Sequence, residues 1–439
     1  MIPTGPSPRS ATGPWHPAIG HQRGPQRCAR AQIGPPTLPN AAMERRYDLD
    51  WIRICAFGVL ILYHVGMYYV TWDWHVNSPH ASHALEPFML LSAPWRLSLL
   101  FLVSGAATAF LWDRCGRDGG RFIGPRSWRL LLPLLFGMLV IVPPQSYFEV
   151  VEKLPGGYHD GYLTFWGRYL AGDSSFCRED DCLDLPTWNH LWFVAYLWCY
   201  TVVLWVLLRL APRATNGVVE RLRAALSHPA GLLLPLAWLA VARFVLVARF
   251  ESTHALVDDW YNHAQYLPLF LLGFAMARPG PLWERVELAR WPALVAALAS
   301  WLFIAGYFGR YSDGTTPPEA LRQLQRLLWA VQQWGAIVAI LGFARRHAPG
   351  DGPARRWLTE AVFPVYILHQ TVIVMLAVYL RSLDLPPWLE GPLLVLATFA
   401  LCLAAYGIIR RTGWLRPLFG LKPRPLPPPP RPEAHDVRS

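Results

Sequence analysis

The sequence predicts an all-α fold, a polytopic membrane protein with about ten transmembrane helices. Of its 439 residues, 53% are hydrophobic and only 16% are charged, a balance that would cover a soluble globule with apolar patches. Long apolar runs recur along the chain, and most reach the roughly 20 residues that cross a hydrocarbon core. The connections between the runs alternate between arginine-rich and arginine-poor, as they do in membrane proteins.

The apolar runs define one membrane domain, residues 45–411. They lie at residues 51–70, 88–112, 128–144, 190–210, 231–247, 266–277, 291–308, 327–344, 360–380 and 392–409. The sixth run is short, so nine or eleven helices would also fit. Residues 1–44 are expected to be disordered, or to follow from a start codon assigned too far upstream, and residues 412–439 form a proline-rich cytoplasmic tail.

The net charge of +11 reflects membrane topology rather than a nucleic-acid partner. Arginines cluster after the second, fourth, eighth and tenth runs, whereas the connection at residues 146–187 is acidic. By the positive-inside rule, both termini are expected in the cytoplasm of a bacterial inner membrane. The partner that this pattern predicts is therefore the lipid bilayer.

The first run begins with RICAFGVLILYH, in which Arg53 and His64 flank ten uncharged residues. Eleven residues at about 100° each bring the two side chains to one helical face, about 16 Å apart along the axis. Arg53 would then lie at the cytoplasmic end and His64 near the bilayer midplane. Arg53 also fits a topology anchor, and His64 also fits a hydrogen bond between helices, but an imidazole at this depth usually faces a cavity.

Further polar residues fall at membrane depth. Arg96 and Ser104 lie in the second run, Arg243 in the fifth and His369 in the ninth, within FPVYILHQ. Two imidazoles near the midplane, His64 and His369, indicate one buried polar site. The alternative is that each residue is separately hydrogen-bonded packing.

A pair of arginines, Arg126 and Arg129, opens the third run in the sequence RSWR. Their spacing places both guanidinium groups on one helical face, an arrangement that suits phosphate, although cytoplasmic connections collect arginines for topology alone. Motifs for nucleotide hydrolysis or structural zinc are missing, and the histidines of WDWHVNSPHASH match no common ligand spacing. We therefore expect no metal and no permanently bound cofactor. Cys177 and Cys182 are compatible with a disulfide or with two free thiols.

In their order along the chain, these motifs resemble the membrane-bound acyltransferases of the acyltransferase-3 type, over about residues 45–411. The resemblance rests on Arg53 and His64, on Arg126 and Arg129, and on the stretches FLVSG, HLWFVAYL and FPVYILHQ. It implies transfer of an acyl group, acetyl or succinyl, from a cytoplasmic acyl-CoA to a hydroxyl of an extracytoplasmic glycan.

The resemblance also implies roles for the polar residues. Arg126 and Arg129 would bind the phosphates of acyl-CoA, and Arg53 its pantetheine or thioester end. His64 would act as general base or carry the acyl group briefly as an acyl-imidazole, with His369 as a further catalytic residue. The candidate substrate-binding residues are Arg96, Ser104, His190 and Arg243.

Two other classes of protein remain open at this stage. A secondary transporter or exporter of a glycan or a small anion would also place histidine and arginine at the midplane. Such transporters usually contain two corresponding halves with glycine- or proline-interrupted spans, and the sequence shows no such repeat. A structural membrane protein would have no reason to bury so many ionisable groups.

The alternation of basic and acidic connections predicts the topology directly. A reporter that is active only outside the cytoplasm should be active when fused near Asp181 and silent when fused near Gly119, because the first lies in the acidic connection and the second in an arginine-rich one. The activity of the reporter in the two fusions, normalised to the amount of each fusion protein, tests this prediction. The reverse pattern would invert the orientation.

Overall fold

The computed structural model of the protein describes residues 46–178, 181–312 and 314–423. Residues 1–44, predicted to be disordered, and residues 424–439 of the proline-rich tail lie outside these ranges. The α-helices of the described residues are α1 (Tyr47–Tyr69), α2 (Glu86–Ser92), α3 (Arg96–Arg114), α4 (Gly119–Phe136), α5 (Pro143–Lys153), α6 (Tyr162–Leu170), α7 (Trp192–Leu210), α8 (Pro212–Ser227), α9 (Leu233–Leu246), α10 (Trp260–Met276), α11 (Pro281–Arg310), α12 (Glu319–His347), α13 (Pro353–Arg381), α14 (Pro387–Ile409) and α15 (Leu415–Leu418).

Shorter elements connect these helices. Single 3₁₀ turns occupy His83–Leu85 and Asn189–Leu191, and a π-helical turn, Gly137–Ile141, joins α4 to α5. A small antiparallel ribbon pairs β1 (Cys177–Arg178) with β2 (Asp181–Cys182). The all-α class is confirmed.

Each of the ten predicted apolar runs lies within or overlaps a helix. Among the described residues, eight helical segments are long and apolar enough to cross a membrane, and they contain all the runs except the fifth and sixth. The helices of those two runs, α9 and α10, have 14 and 17 residues. They are shorter than the roughly 20 residues of a typical crossing. The ten predicted runs therefore correspond to eight long helical segments and two shorter apolar helices among the described residues.

The helix boundaries follow from local sequence signals. Pro281, Pro353 and Pro387 occupy the first turns of α11, α13 and α14, where a missing backbone N–H costs no hydrogen bond. The Asp118 side chain caps α4 by accepting hydrogen bonds from the backbone N–H groups of Gly120 and Arg121, at 2.9 and 3.2 Å. These signals place the start of each of these helices in a polar connection, so that the apolar residues that follow lie in the bundle.

Helix α1 is central to the bundle, since it packs against α3, α12, α13 and α14. Beside it, α3 and α10 cross at two glycines. A Cβ atom on Gly105 would lie 1.8 Å from the carbonyl oxygen of Phe270, and one on Gly273 would lie 1.8 Å from that of Leu102. Small residues at such a crossing let two backbones approach closely.

The arginine-rich connections meet on one side of the bundle, which we call the basic side. The Trp51 indole donates to the carbonyl of Pro349 (2.9 Å), so the start of α1 adjoins the connection from α12 to α13. Arg129, in the second half of α4, donates from Nε to the carbonyl of Gly420 (2.9 Å), and Arg416 donates to Glu360 in the first part of α13 (3.2 Å). Both described ends of the membrane domain therefore lie on the same side.

The opposite side carries a folded cap, formed by residues 70–83, 143–178 and 181–188, and we call it the cap side. Its small core contains Val150, Phe165, Tyr169 and Phe176. The sequence is compatible with either a disulfide or two free thiols at Cys177 and Cys182. The structure joins them in a disulfide that closes the ribbon.

Ion pairs tie the two parts of the cap together. Asp73 accepts hydrogen bonds from Lys153 (2.6 Å) and Arg178 (3.3 Å). Partial burial alone would raise the pKa of Asp73, but these two cationic donors lower it overall. Arg381, at the end of α13, donates to Glu152 (2.9 Å) and to the carbonyl of Asn77 (2.7 Å), which fixes the cap to the bundle.

The π-helical turn provides carbonyl groups that the cap uses. The Tyr169 hydroxyl donates to the carbonyl of Met138 and the Trp166 indole to that of Leu139, both at 2.9 Å. The carbonyl of Ile141 accepts a hydrogen bond from the Thr371 hydroxyl of α13 (2.7 Å). The turn thus connects the cap with the interior of the bundle.

The glycine crossing generates a stability prediction. Gly105→Ala should lower the thermal unfolding temperature of the detergent-solubilised protein, because a Cβ atom there overlaps a backbone carbonyl and overpacking costs about 1–3 kcal/mol. The matched control is Gly58→Ala, at which a Cβ meets no atom within 4 Å and the helix gains up to about 1 kcal/mol. Equal unfolding temperatures for the two variants would contradict the close crossing.

Candidate functional site

The two polar residues of the RICAFGVLILYH segment both face α13. Arg53 donates from Nη2 to the carbonyl of Thr359 (3.1 Å), and His64 Nδ1 lies 2.8 Å from His369 Nε2. The spacings are eleven residues on α1 and ten on α13, about three turns each, so both contacts fall along one line between the helices. The predicted midplane imidazoles are therefore in direct contact.

The hydrogen bonds of this histidine pair determine the position of its protons. His369 Nδ1 lies 2.6 Å from the carbonyl oxygen of Tyr366, which can only accept, so this nitrogen carries a hydrogen. In the neutral ring, His369 Nε2 is then an acceptor, and His64 Nδ1 donates to it. The remaining nitrogen of His64, Nε2, keeps its lone pair. His64 lines a cavity, whereas His369 has no exposed surface.

A third histidine, His190, lies against the pair. Its ring centroid is 5.0 Å from that of His369, with the two planes nearly perpendicular. His190 Nε2 lies 3.1 Å from the carbonyl of Ile367 and donates to it, which leaves Nδ1 to accept from the side-chain amide of Gln145 (3.4 Å). The Tyr366 hydroxyl donates to the backbone carbonyl of His190 (2.5 Å).

A chain of polar side chains leads from His190 toward the cap. Gln145 donates to the Thr371 hydroxyl (2.6 Å) and accepts from the side-chain amide of Gln370 (3.1 Å). Gln370 lies 2.8 Å from His75 Nε2, and His75 Nδ1 lies 2.5 Å from Glu149. His75, from the WDWHVNSPHASH segment, is thus part of a hydrogen-bonded network rather than of a cluster with His80 and His83.

The cavity reached by His64 has a volume of about 410 Å³. Its walls include residues between α2 and α3 and the connection from α9 to α10. That second connection belongs to the cap side, because the Trp188 indole donates to the carbonyl of His254 (3.1 Å). Four of the predicted site residues line it: His64, Arg96, His190 and Arg243. Aromatic rings make up much of the remaining wall, and the sequence analysis gave none of them a role in the site: Trp192, Phe193, Phe250, Tyr261, Tyr266, Trp329 and Tyr366.

One wall of the cavity is organised by a buried carboxylate, Asp259. It accepts hydrogen bonds from the Tyr196 hydroxyl, from the backbone N–H of His254 (3.2 Å) and from the side-chain amide of Asn262 (2.9 Å). These contacts hold the His254 ring stacked on Trp192, with 4.1 Å between the centroids. The Asp259 carboxylate lies in a polar connection, and no sequence pattern distinguished it from its neighbours.

Four further predicted site residues do not line this cavity: Arg53, Ser104, Arg126 and Arg129. The three arginines lie toward the basic side. Arg53 and Arg129 lie within electrostatic range of Arg126. Arg126 reaches the Thr108 hydroxyl from Nη2 (3.4 Å), and its buried Nε has no hydrogen-bond partner among the described residues. Ser104 is one turn before Thr108 and contributes its backbone carbonyl to that hydroxyl (2.7 Å), so the structure does not bring Ser104 to the other substrate-binding candidates.

The whole arrangement is thus a histidine pair at the inner end of a cap-side cavity, with an arginine cluster on the opposite side. A family model described as "Acyltransferase domain" matches residues 46–407. The chain belongs to the acyltransferase-3 family. The resemblance read from the motifs is confirmed, and the protein is a membrane acyltransferase rather than a transporter.

Curated relatives match most of this acyltransferase. "Glucans biosynthesis protein C" from Escherichia coli O6:K15:H31 (strain 536 / UPEC) is 23% identical over 392 residues, which cover 87% of this chain and 95% of the relative. The protein of the same name from Escherichia coli (strain K12) is 23% identical over 397 residues, with the same coverage. No solved structure matches the chain significantly.

Proposed function

We propose that this acyltransferase transfers an acyl group, acetyl or succinyl, from cytoplasmic acyl-CoA to a hydroxyl of an extracytoplasmic glycan. The observation that carries the proposal is His64, whose Nδ1 is engaged by His369 while Nε2 keeps a lone pair at a cavity. The names of the relatives refer to glucans, which supports a glycan acceptor. The arginine-rich connections support an inner membrane with both ends in the cytoplasm.

The acceptor would enter from the cap side. A cavity of about 410 Å³ can hold part of a sugar chain, and its rings, among them Trp192 and Trp329, offer flat apolar surfaces. The side chain of Gln265 lines the same cavity and donates one amide hydrogen to Asn262 (2.8 Å), which leaves its second amide hydrogen for a hydroxyl. This combination of aromatic surfaces and amides favours a carbohydrate over a purely apolar ligand.

The donor would approach from the basic side. Arg126 has a buried Nε without a partner among the described residues, and Arg53 and Arg129 lie near it, so the three guanidinium groups suit the phosphates of acyl-CoA. The pantetheine arm would then extend inward toward His64. Coenzyme A itself need not cross the membrane, because donor and acceptor meet from opposite sides.

In the transfer step, His64 Nε2 would accept the proton of the acceptor hydroxyl while the hydroxyl oxygen attacks the thioester carbonyl carbon. The carbon–sulfur bond breaks, and the coenzyme A thiolate leaves and takes up the proton from the imidazolium. His369 would stabilise the charge on His64 by accepting its Nδ1 hydrogen. A route through an acyl-imidazole uses the same nitrogen as nucleophile.

The arginine cluster generates a binding prediction. Replacing Arg126 and Arg129 with glutamine should weaken acyl-CoA binding about ten- to a hundredfold, since a contact to a charged group contributes about 1.5–3 kcal/mol. The affinity of the purified protein for acetyl-CoA measures this, and the exposed Arg121→Gln on the same side is the matched control. Unchanged donor affinity would assign the pair to topology alone.

The histidine pair generates a kinetic prediction. His64→Ala should lower kcat about a hundred- to ten-thousandfold, the usual cost of losing a general base, while acyl-CoA affinity stays intact. His369→Ala should lower kcat less, and His369→Gln should recover part of the loss because its side-chain carbonyl can accept the His64 hydrogen. Near-normal transfer by His64→Ala together with loss of transfer in His369→Ala would reverse the two roles. Near-normal transfer by both variants would refute the mechanism.

A further inference from the structure

Two arginines in the cavity are not matched by any acid within ion-pair distance. Arg96 and Arg243 both line it, and they are only 9% and 8% exposed. Ion pairs elsewhere in the described residues are numerous, yet neither guanidinium lies within 4.0 Å of a described carboxylate. Glu251 also lines the cavity, but it is an exposed residue of the connection from α9 to α10.

Arg96 is held by an aromatic face rather than by an anion. Its guanidinium carbon lies 3.3 Å from the centroid of the Tyr63 ring, and its buried Nε and Nη1 have no hydrogen-bond partner among the described residues. It lies within electrostatic range of both His64 and His254. Arg96 therefore lies near both the histidine pair and His254 of the α9–α10 connection.

Arg243 shows the same combination of contacts. Its guanidinium carbon lies 4.2 Å from the centroid of Trp329, and Nη1 donates to the Tyr261 hydroxyl (2.7 Å). Its buried Nε lacks a partner in the described part of the chain. Both arginines are thus oriented by aromatic residues and retain unused donors.

A guanidinium group cannot lose its charge at ordinary pH, and a buried charge without a counterion is strongly unfavourable. Stacking on an aromatic ring offsets only part of this cost. The buried carboxylate in the cavity wall, Asp259, accepts hydrogen bonds from Tyr196, His254 and Asn262 and forms no ion pair with either arginine. Two such groups in one cavity therefore favour a ligand that carries negative charge. We propose that Arg96 and Arg243 form a binding site for an anionic oxygen group, a carboxylate or a phosphate, carried by a reactant in the cavity.

The proposal rests on the proposed function for the origin of the anion. The planar guanidinium fork matches the oxygens of a carboxylate or a phosphate. The group could be the free end of a dicarboxylic acyl chain that projects past His64, or an anionic substituent on the glycan. Both sources present the same chemistry to the two arginines.

The site can be tested without any assay of acyl transfer. Malonate and inorganic phosphate should raise the thermal unfolding temperature of the purified full-length protein in detergent, at constant ionic strength set with chloride. Arg96→Gln and Arg243→Gln should each weaken this binding about ten- to a hundredfold. The matched control is Arg249→Gln, an exposed arginine just beyond α9 that does not line the cavity, and it should bind both probes as the unmodified protein does.

Two results would overturn the site: no binding of either probe by the unmodified protein, or unchanged binding by both glutamine variants. If a glutamine variant does not fold, the corresponding lysine variant replaces it because it keeps the charge. Retained binding of the anionic probes by that variant supports the proposal, and loss of binding overturns it.

Transfer assays then identify the source of the anion. If it is the acyl chain, the glutamine variants should lower kcat/KM for succinyl-CoA at least tenfold more than for acetyl-CoA, with a neutral glucan as acceptor. If the anion is carried by the glycan, the glutamine variants should lower kcat/KM for a phosphate-bearing glucan at least tenfold more than for a neutral glucan, with acetyl-CoA as donor. Equal losses for all donors and acceptors would overturn an anionic reactant while leaving the proposed acyl transfer intact. Absence of transfer with intact probe binding would refute the function but not the anion site.

Discussion

The hydrogen bond between His64 and His369 is the interaction on which the rest of the centre depends. Each of these two imidazole rings supplies one hydrogen-bond partner of the other. The carbonyl of Tyr366 accepts the hydrogen of His369 Nδ1, and His369 Nε2 accepts that of His64 Nδ1. Only Nε2 of His64, which lines the cavity, is then left to accept a proton. Because α1 and α13 pack along their length, the helix packing itself sets this proton arrangement.

The polar groups are divided between two sides of the bundle. The cap side contains the cavity with Arg96, Arg243 and the aromatic walls, and the basic side contains Arg53, Arg126 and Arg129. Between them, the helical interior holds the histidines and the network from His190 to the cap. Under the proposed function, this division would let two polar reactants meet without a continuous polar path through the membrane.

Much of the fold could be predicted from the sequence, because the length of each apolar run indicates a helix that can cross the membrane and the arginines indicate where such helices end. The spacing from Arg53 to His64 also predicted one helical face correctly, since that relation is internal to one helix. Gln145 and Gln370 were missed because their partners are remote in sequence: Gln145 contacts Thr371, 226 residues away. Asp259 was missed although His254 and Asn262 are close in sequence, because a carboxylate in a polar connection usually faces solvent. Ser104 shows the converse, since a polar residue at membrane depth can lie within a helix without facing the cavity.

The π-helical turn Gly137–Ile141 has a consequence for the two sides of the site. Its hydrogen bonds span one residue more than those of an α-helix, and each residue advances the helix by about 100°. Arg126 and Arg129 precede the turn, whereas Gln145 follows it. The turn therefore sets the angular phase between the arginine cluster and the network around His190. Removing one residue from this turn would leave both ends helical but rotate one group out of register with the other, so the length of a five-residue segment keeps the two halves of the site aligned.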